Sequence, residues 1–85
     1  MGMLFKKYKT KFRYALQPMF AMLADKRKTM SILEWQKFIQ RTRERILDNP
    51  AEFLGAELPE YSLMRDVLDE IFLEFHKDQK IKGVV

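Results

Sequence analysis

Apolar residues recur at helical spacing along most of this chain. Over residues 3–24, Leu4, Phe5, Tyr8, Phe12, Ala15, Leu16, Met19, Met22 and Leu23 fall on one broad stripe at about 100° per residue. Lys6, Lys7, Arg13 and Gln17 project from the other side. This pattern predicts an amphipathic first helix. Pro18 lies within it, lacks an N–H and would clash with the carbonyl of Tyr14, so a kink or break is expected near Leu16-Gln17. The stripe keeps its phase across the proline, which favours a kink or tight restart over a long loop.

A charged turn over residues 25–29 follows, and then a strong helix-start signal. Ser31-Ile32-Leu33-Glu34 has the form of a capping box, with Ser31 able to accept from the Glu34 amide and Glu34 reaching back. Met30 and Trp35 occupy the positions of a hydrophobic staple. The stripe predicted to be buried is Ile32, Trp35, Phe38, Ile39, Thr42 and Ile46, with Lys37, Arg41 and Arg45 outside. Asp48-Asn49-Pro50 ends this helix and opens a short one, with Asn49 as cap, Pro50 at N1, Glu52 at N3 and Gly55 as the terminating residue. A last helix is expected over about residues 60–78, burying Tyr61, Met64, Val67, Leu68, Ile71, Phe72 and Phe75. Residues 80–85 read as a frayed tail.

The fold class expected is therefore all-α: a single domain over residues 1–85, built as a small bundle of three main helices plus one short helix. Three glycines and three prolines are too few for a many-turned β fold. The longest uncharged run, residues 14–24, is well short of the roughly 20 apolar residues of a bilayer span, so no transmembrane segment is expected. Neither a secretory signal nor a myristoylation motif is expected either, because Tyr8 and Phe12 interleave with the early cations and Lys6 stands where Ser or Thr would be needed. A cytoplasmic location is the default. A chain of this size buries little of its own surface. Leu33, Leu63 and Leu73, which fall off the stripes, suggest a homodimer that would hide them.

Composition removes most chemistry. The chain has no cysteine and one histidine, which excludes disulfides, thiolate zinc sites and multi-histidine centres. His76 is read as a polar residue favoured near a helix C-terminus, not as a catalytic base. Asp66, Asp69, Glu70 and Glu74 share one side of the last helix but lack the loop spacing of a calcium site, so they read as a solvated or docking face. Ser31 is committed to its cap and no glycine-rich phosphate loop exists. No enzyme, metal or cofactor is expected.

Charge layout changes the picture most. Residues 1–28 carry a net +7, residues 29–48 +1 and residues 49–79 −6, with Lys80 and Lys82 bringing the chain to +4. Either the two halves attract each other, within a chain or across a dimer, or the basic half meets an external polyanion. The leading expectation is a small non-enzymatic accessory or regulatory protein that binds DNA or RNA non-specifically, or a nucleic-acid-associated partner. The contacts would be Lys6, Lys7, Lys9, Lys11, Arg13, Lys26, Arg27 and Lys28, with Arg41, Arg43 and Arg45 as a second cluster. A helix-turn-helix docking mode is disfavoured, because the last helix would bring an acidic exterior to the phosphates. The alternative is a protein–protein module that self-associates or docks a partner through Asp66, Asp69, Glu70 and Glu74. Third is peripheral binding of the basic first helix to a membrane surface.

Overall fold

A computed structural model describes residues 2–81, and side chains as far as Gln79. Five helices follow in order: α1 Gly2–Ala15, α2 Gln17–Lys26, α3 Ile32–Asp48, α4 Pro50–Leu54 and α5 Tyr61–Ile81. The described residues contain no strand, and the architecture is a small all-α bundle. None of these helices is long and apolar enough to cross a membrane. The molecule measures 35 × 24 × 19 Å. Its long dimension is close to the roughly 31 Å that α5 spans at 1.5 Å per residue.

The proline acts locally. The first predicted helix is two helices, and Leu16 alone separates them, with φ −93° and ψ 2°. Its amide still donates to the Phe12 carbonyl and its carbonyl accepts from Phe20, both at 2.9 Å. Pro18 therefore sits in the first turn of α2, where a missing N–H costs nothing. Leu16 itself is fully buried, so the break is fixed by the core.

The start of α3 matches the sequence signal. Ser31 Oγ accepts from the Glu34 amide at 3.2 Å, and Glu34 Oε1 accepts from the Ser31 amide at 3.3 Å. Interaction with the Ser31 side chain, and next with its backbone amide, holds the Glu34 carboxyl below its usual value. The cap of α4 differs from expectation. Asn49 donates its side-chain amide to Glu52 Oε2 at 2.8 Å and makes no side-chain cap; its carbonyl takes the Glu52 amide instead. Gly55 ends α4 at φ +95°, a backbone region that disfavours any side chain.

The core joins α1, α2, α3, α4 and α5 through Tyr8, Phe12, Leu16, Leu23, Ile46, Leu54, Met64, Val67, Leu68, Ile71 and Phe72. Phe5 packs near Leu63, while Lys9 and Arg13 reach Glu74, so α1 and α5 run side by side in the same direction. In contrast, α3 runs against α5, since Arg43 meets Asp69 and Trp35 meets Phe75 and His76. Trp35 is buried, and its indole N–H donates to the Leu23 carbonyl at 2.8 Å. A large apolar ring with its one polar atom satisfied ties the start of α3 to the end of α2.

Several stripe positions lie outside the core. Ile32, Tyr61, Leu4, Met22 and Ala15 are exposed, contrary to expectation. Ile32 and Tyr61 open their helices and stand about 60° from the centre of the buried face, so the buried face is narrower than the apolar stripe. Phe20, outside the expected stripe, is half-buried and stacks on Phe75 with centroids 4.7 Å apart. Leu63 also packs partly on the core, whereas Leu33 and Leu73 are exposed. Helix α5 continues through Lys80 to Ile81, three residues beyond the expected end; the rest of the expected tail lies outside the described residues.

Replacing Ser31 by Ala removes one half of the capping box and is expected to cost about 1 kcal/mol. In a chain of this size that lowers the melting temperature by about 4–8 °C. Far-UV circular dichroism melts check it; an unchanged midpoint would contradict the role given to the cap.

Candidate interaction surfaces

The buried stripe of α1 dictates where its cations go. Tyr8 and Phe12 face the core, with Leu16 in phase just beyond the helix end, and at 100° per residue Lys7 and Lys11 fall on one flank of that face while Lys9 and Arg13 fall on the other. Each flank carries two cations four residues apart, which repel each other unless an anion stands between them. The fold supplies one carboxylate to each pair. Glu74 of α5 accepts from both Lys9 and Arg13. Glu57, in the α4–α5 connection, takes Lys11 at 2.9 Å and lies 3.9 Å from Lys7; its carbonyl also accepts from Lys11 at 3.2 Å.

Both carboxyls respond to these neighbours. Hydrogen bonding from Lys9 is the largest influence on Glu74 and holds it below the usual 4.5, against a smaller opposing effect of burial. Glu57 is lowered chiefly by its hydrogen bond from Lys11, then by the charges of Lys11 and Lys7. A third cross-link joins α3 to α5, where Asp69 Oδ1 accepts from Arg43 Nε at 2.7 Å and from a second guanidinium nitrogen.

The expected nucleic-acid contacts therefore divide. Lys7, Lys9, Lys11 and Arg13 are engaged by acids of the same chain, whereas Lys6 makes no side-chain hydrogen bond or ion pair among the described residues. At the far end of the segment, Lys26 is exposed and Lys28 is 3.9 Å from Asp25. Arg27 lies over the Trp35 ring at 5.5 Å, with its Nε buried and without an acceptor. On α3, Arg41 is exposed and Arg45 lies over the Phe53 ring at 5.8 Å. With Arg43 held by Asp69, these are dispersed positions, and no single face gathers all eleven.

The expected acidic docking face divides as well. Glu74 and Asp69 are taken by α1 and α3, while Asp66 is exposed and Glu70 half-buried. His76 is not simply a helix-end polar residue: its ring stacks on Trp35 with centroids 6.0 Å apart and an interplanar angle of 23°. Glu57 carries no signal in the sequence, because it sits in a loop with no periodicity to mark it. Among the described residues no three His, Asp or Glu side chains converge as metal ligands do.

Two other surface features stand out. Met3 (88% exposed), Tyr14, Leu33 (62%) and Tyr61 present large apolar groups to solvent. A groove of about 400 Å³ opens between the first turn of α1 and the start of α5, lined by Gly2, Phe5, Lys6, Leu63 and Asp66. No protein-family model, curated protein or solved structure matches the chain.

A carboxyl whose value is lowered in the folded state stabilises that state above about pH 4.5 and loses the contribution as pH falls through the lowered value. The melting temperature is therefore expected to drop between about pH 5 and pH 3. The E57Q/E74Q variant should begin slightly lower at pH 7, since exposed pairs of this kind contribute little, and show a shallower decline. Parallel pH profiles of wild type and variant would contradict the clamp.

Proposed function

We propose that this chain is a non-enzymatic helical interaction module of the cytoplasm that works by docking a protein partner, not by catalysis. One observation carries the reading. Four of the five cations on α1 already have carboxylate partners within the chain, while large apolar side chains remain at the surface. A polyanion arriving at α1 would have to displace Glu57 and Glu74 from those cations. An apolar partner surface would meet groups that gain from leaving water. The residual charge then serves to orient the partner and hasten encounter.

A second reading rests on a different region. Lys26, Arg27 and Lys28 lie at the end of α2, and the Arg27–Trp35–His76 contacts bring the end of α5 beside them. Lys77 adds a further exposed cation there. A nucleic-acid phosphate or another polyanion would find its contacts at this end instead of along α1.

Electrophoretic shifts with random duplex and single-stranded DNA, at about 50 and 200 mM salt, separate the two readings. The protein-docking reading predicts no shift at either salt concentration. It further predicts that a captured partner is retained as salt rises and lost in L33S or Y61S. A salt-sensitive shift abolished by K26E/K28E but kept by K6E/K7E would instead establish the second reading. A shift lost in K6E/K7E would overturn both.

A further inference from the structure

We propose that the groove between α1 and α5 is a self-association site in which two copies of this chain pair about a two-fold axis, Met3 of each filling the groove of the other. This rests on the protein-docking reading and names its partner as a second copy. The floor of the groove is apolar, formed by the half-buried Phe5 and Leu63. Gly2 leaves its wall open, since nothing lies within 4 Å of where a Cβ would stand. Met3, in the same first turn, is the most exposed large hydrophobic residue among those described. It projects about 60° beyond Lys6 around the helix, where it cannot reach the floor of its own groove.

Charge identifies the occupant. The two rims carry Lys6 on α1 and Asp66 on α5. Neither makes a hydrogen bond or ion pair among the described residues, although Lys7, Lys9, Lys11 and Arg13 beside Lys6 all do. A partner surface of one sign would leave either Lys6 or Asp66 facing like charge. A second copy related by a two-fold axis sets each Lys6 against the partner's Asp66 and satisfies both rims at once, the self-complementarity that an isologous interface requires. Burying Met3, Phe5 and Leu63 at the centre with the ion pairs at the edge follows the usual anatomy of a protein interface.

Sedimentation velocity of the full chain over a concentration series tests the proposal. The expected result is a species of twice the 10.3 kDa chain mass at high concentration. Like-charge juxtaposition at both rims should weaken the dimer of K6E, and that of D66K, by about tenfold or more. The charge-swapped K6E/D66K variant should recover association to near the wild-type level, and M3S should lose it. Both rim residues are unpaired among the described residues, so these variants are expected to keep the wild-type melting profile. A wild type that stays monomeric overturns the dimer; if it nevertheless captures a different protein through Leu33 or Tyr61, the docking reading stands without it. A dimer insensitive to all four variants lies on another surface, and failure of the charge swap to restore association removes the Lys6–Asp66 pairing.

Discussion

Burying Tyr8, Phe12 and Leu16 is the constraint from which the rest of this structure follows. A helix that turns Tyr8 and Phe12 inward, with Leu16 following in phase at its end, also fixes every other position on its circumference. In α1 the positions beside the stripe are Lys7 and Lys11 on one edge and Lys9 and Arg13 on the other. Docking the helix thus brings four cations to the margins of a core. The acidic second half of the chain answers them with Glu57 and Glu74. Four of the eight cations in residues 1–28 and two of the eight acids in residues 49–79 are the two sides of one interface.

Magnitudes keep these roles distinct. Full burial of a side chain such as Phe12 or Leu16 contributes roughly 1.5–3 kcal/mol. An exposed ion pair contributes about 0.2–1 kcal/mol. The core decides that α1 lies on α5; the ion pairs help fix its rotation and neutralise those cations, which stay partly exposed. For a small domain the second effect matters most for function, because it changes what a partner meets. Among the described residues, Lys6 and Asp66 at the groove and Lys26 near the α2–α3 turn are some of the charges left without an ion pair, and large apolar side chains remain exposed.

Much of the fold was legible because it rests on local chemistry. Pro18 marked the break at Leu16, Ser31 and Glu34 marked the start of α3, and Gly55 marked the end of α4. The 3.6-residue period identified the centres of the buried faces, Phe12, Trp35, Ile46 and Leu68 among them. Periodicity failed at the edges, where Ile32 and Tyr61 share the phase of a stripe yet open their helices in solvent. The candidate surface was less legible for a related reason. Whether Lys9 is free depends on Glu74, 65 positions away, and only packing brings them together. Glu57 lies in a loop, and the stacking of His76 on Trp35 depends on α3 and α5 running in opposite directions. None of these contacts leaves a pattern within a single segment.

The account is tested most directly by a double-mutant cycle between Lys9 and Glu74, read from urea unfolding of wild type, K9Q, E74Q and K9Q/E74Q. If α1 spends its charge on the fold, the two substitutions will be non-additive, with a coupling of about 0.5–1 kcal/mol at moderate salt. Strict additivity would mean that Lys9 and Glu74 do not meet in solution, which would return the basic edge of α1 to the list of surfaces open to an external polyanion.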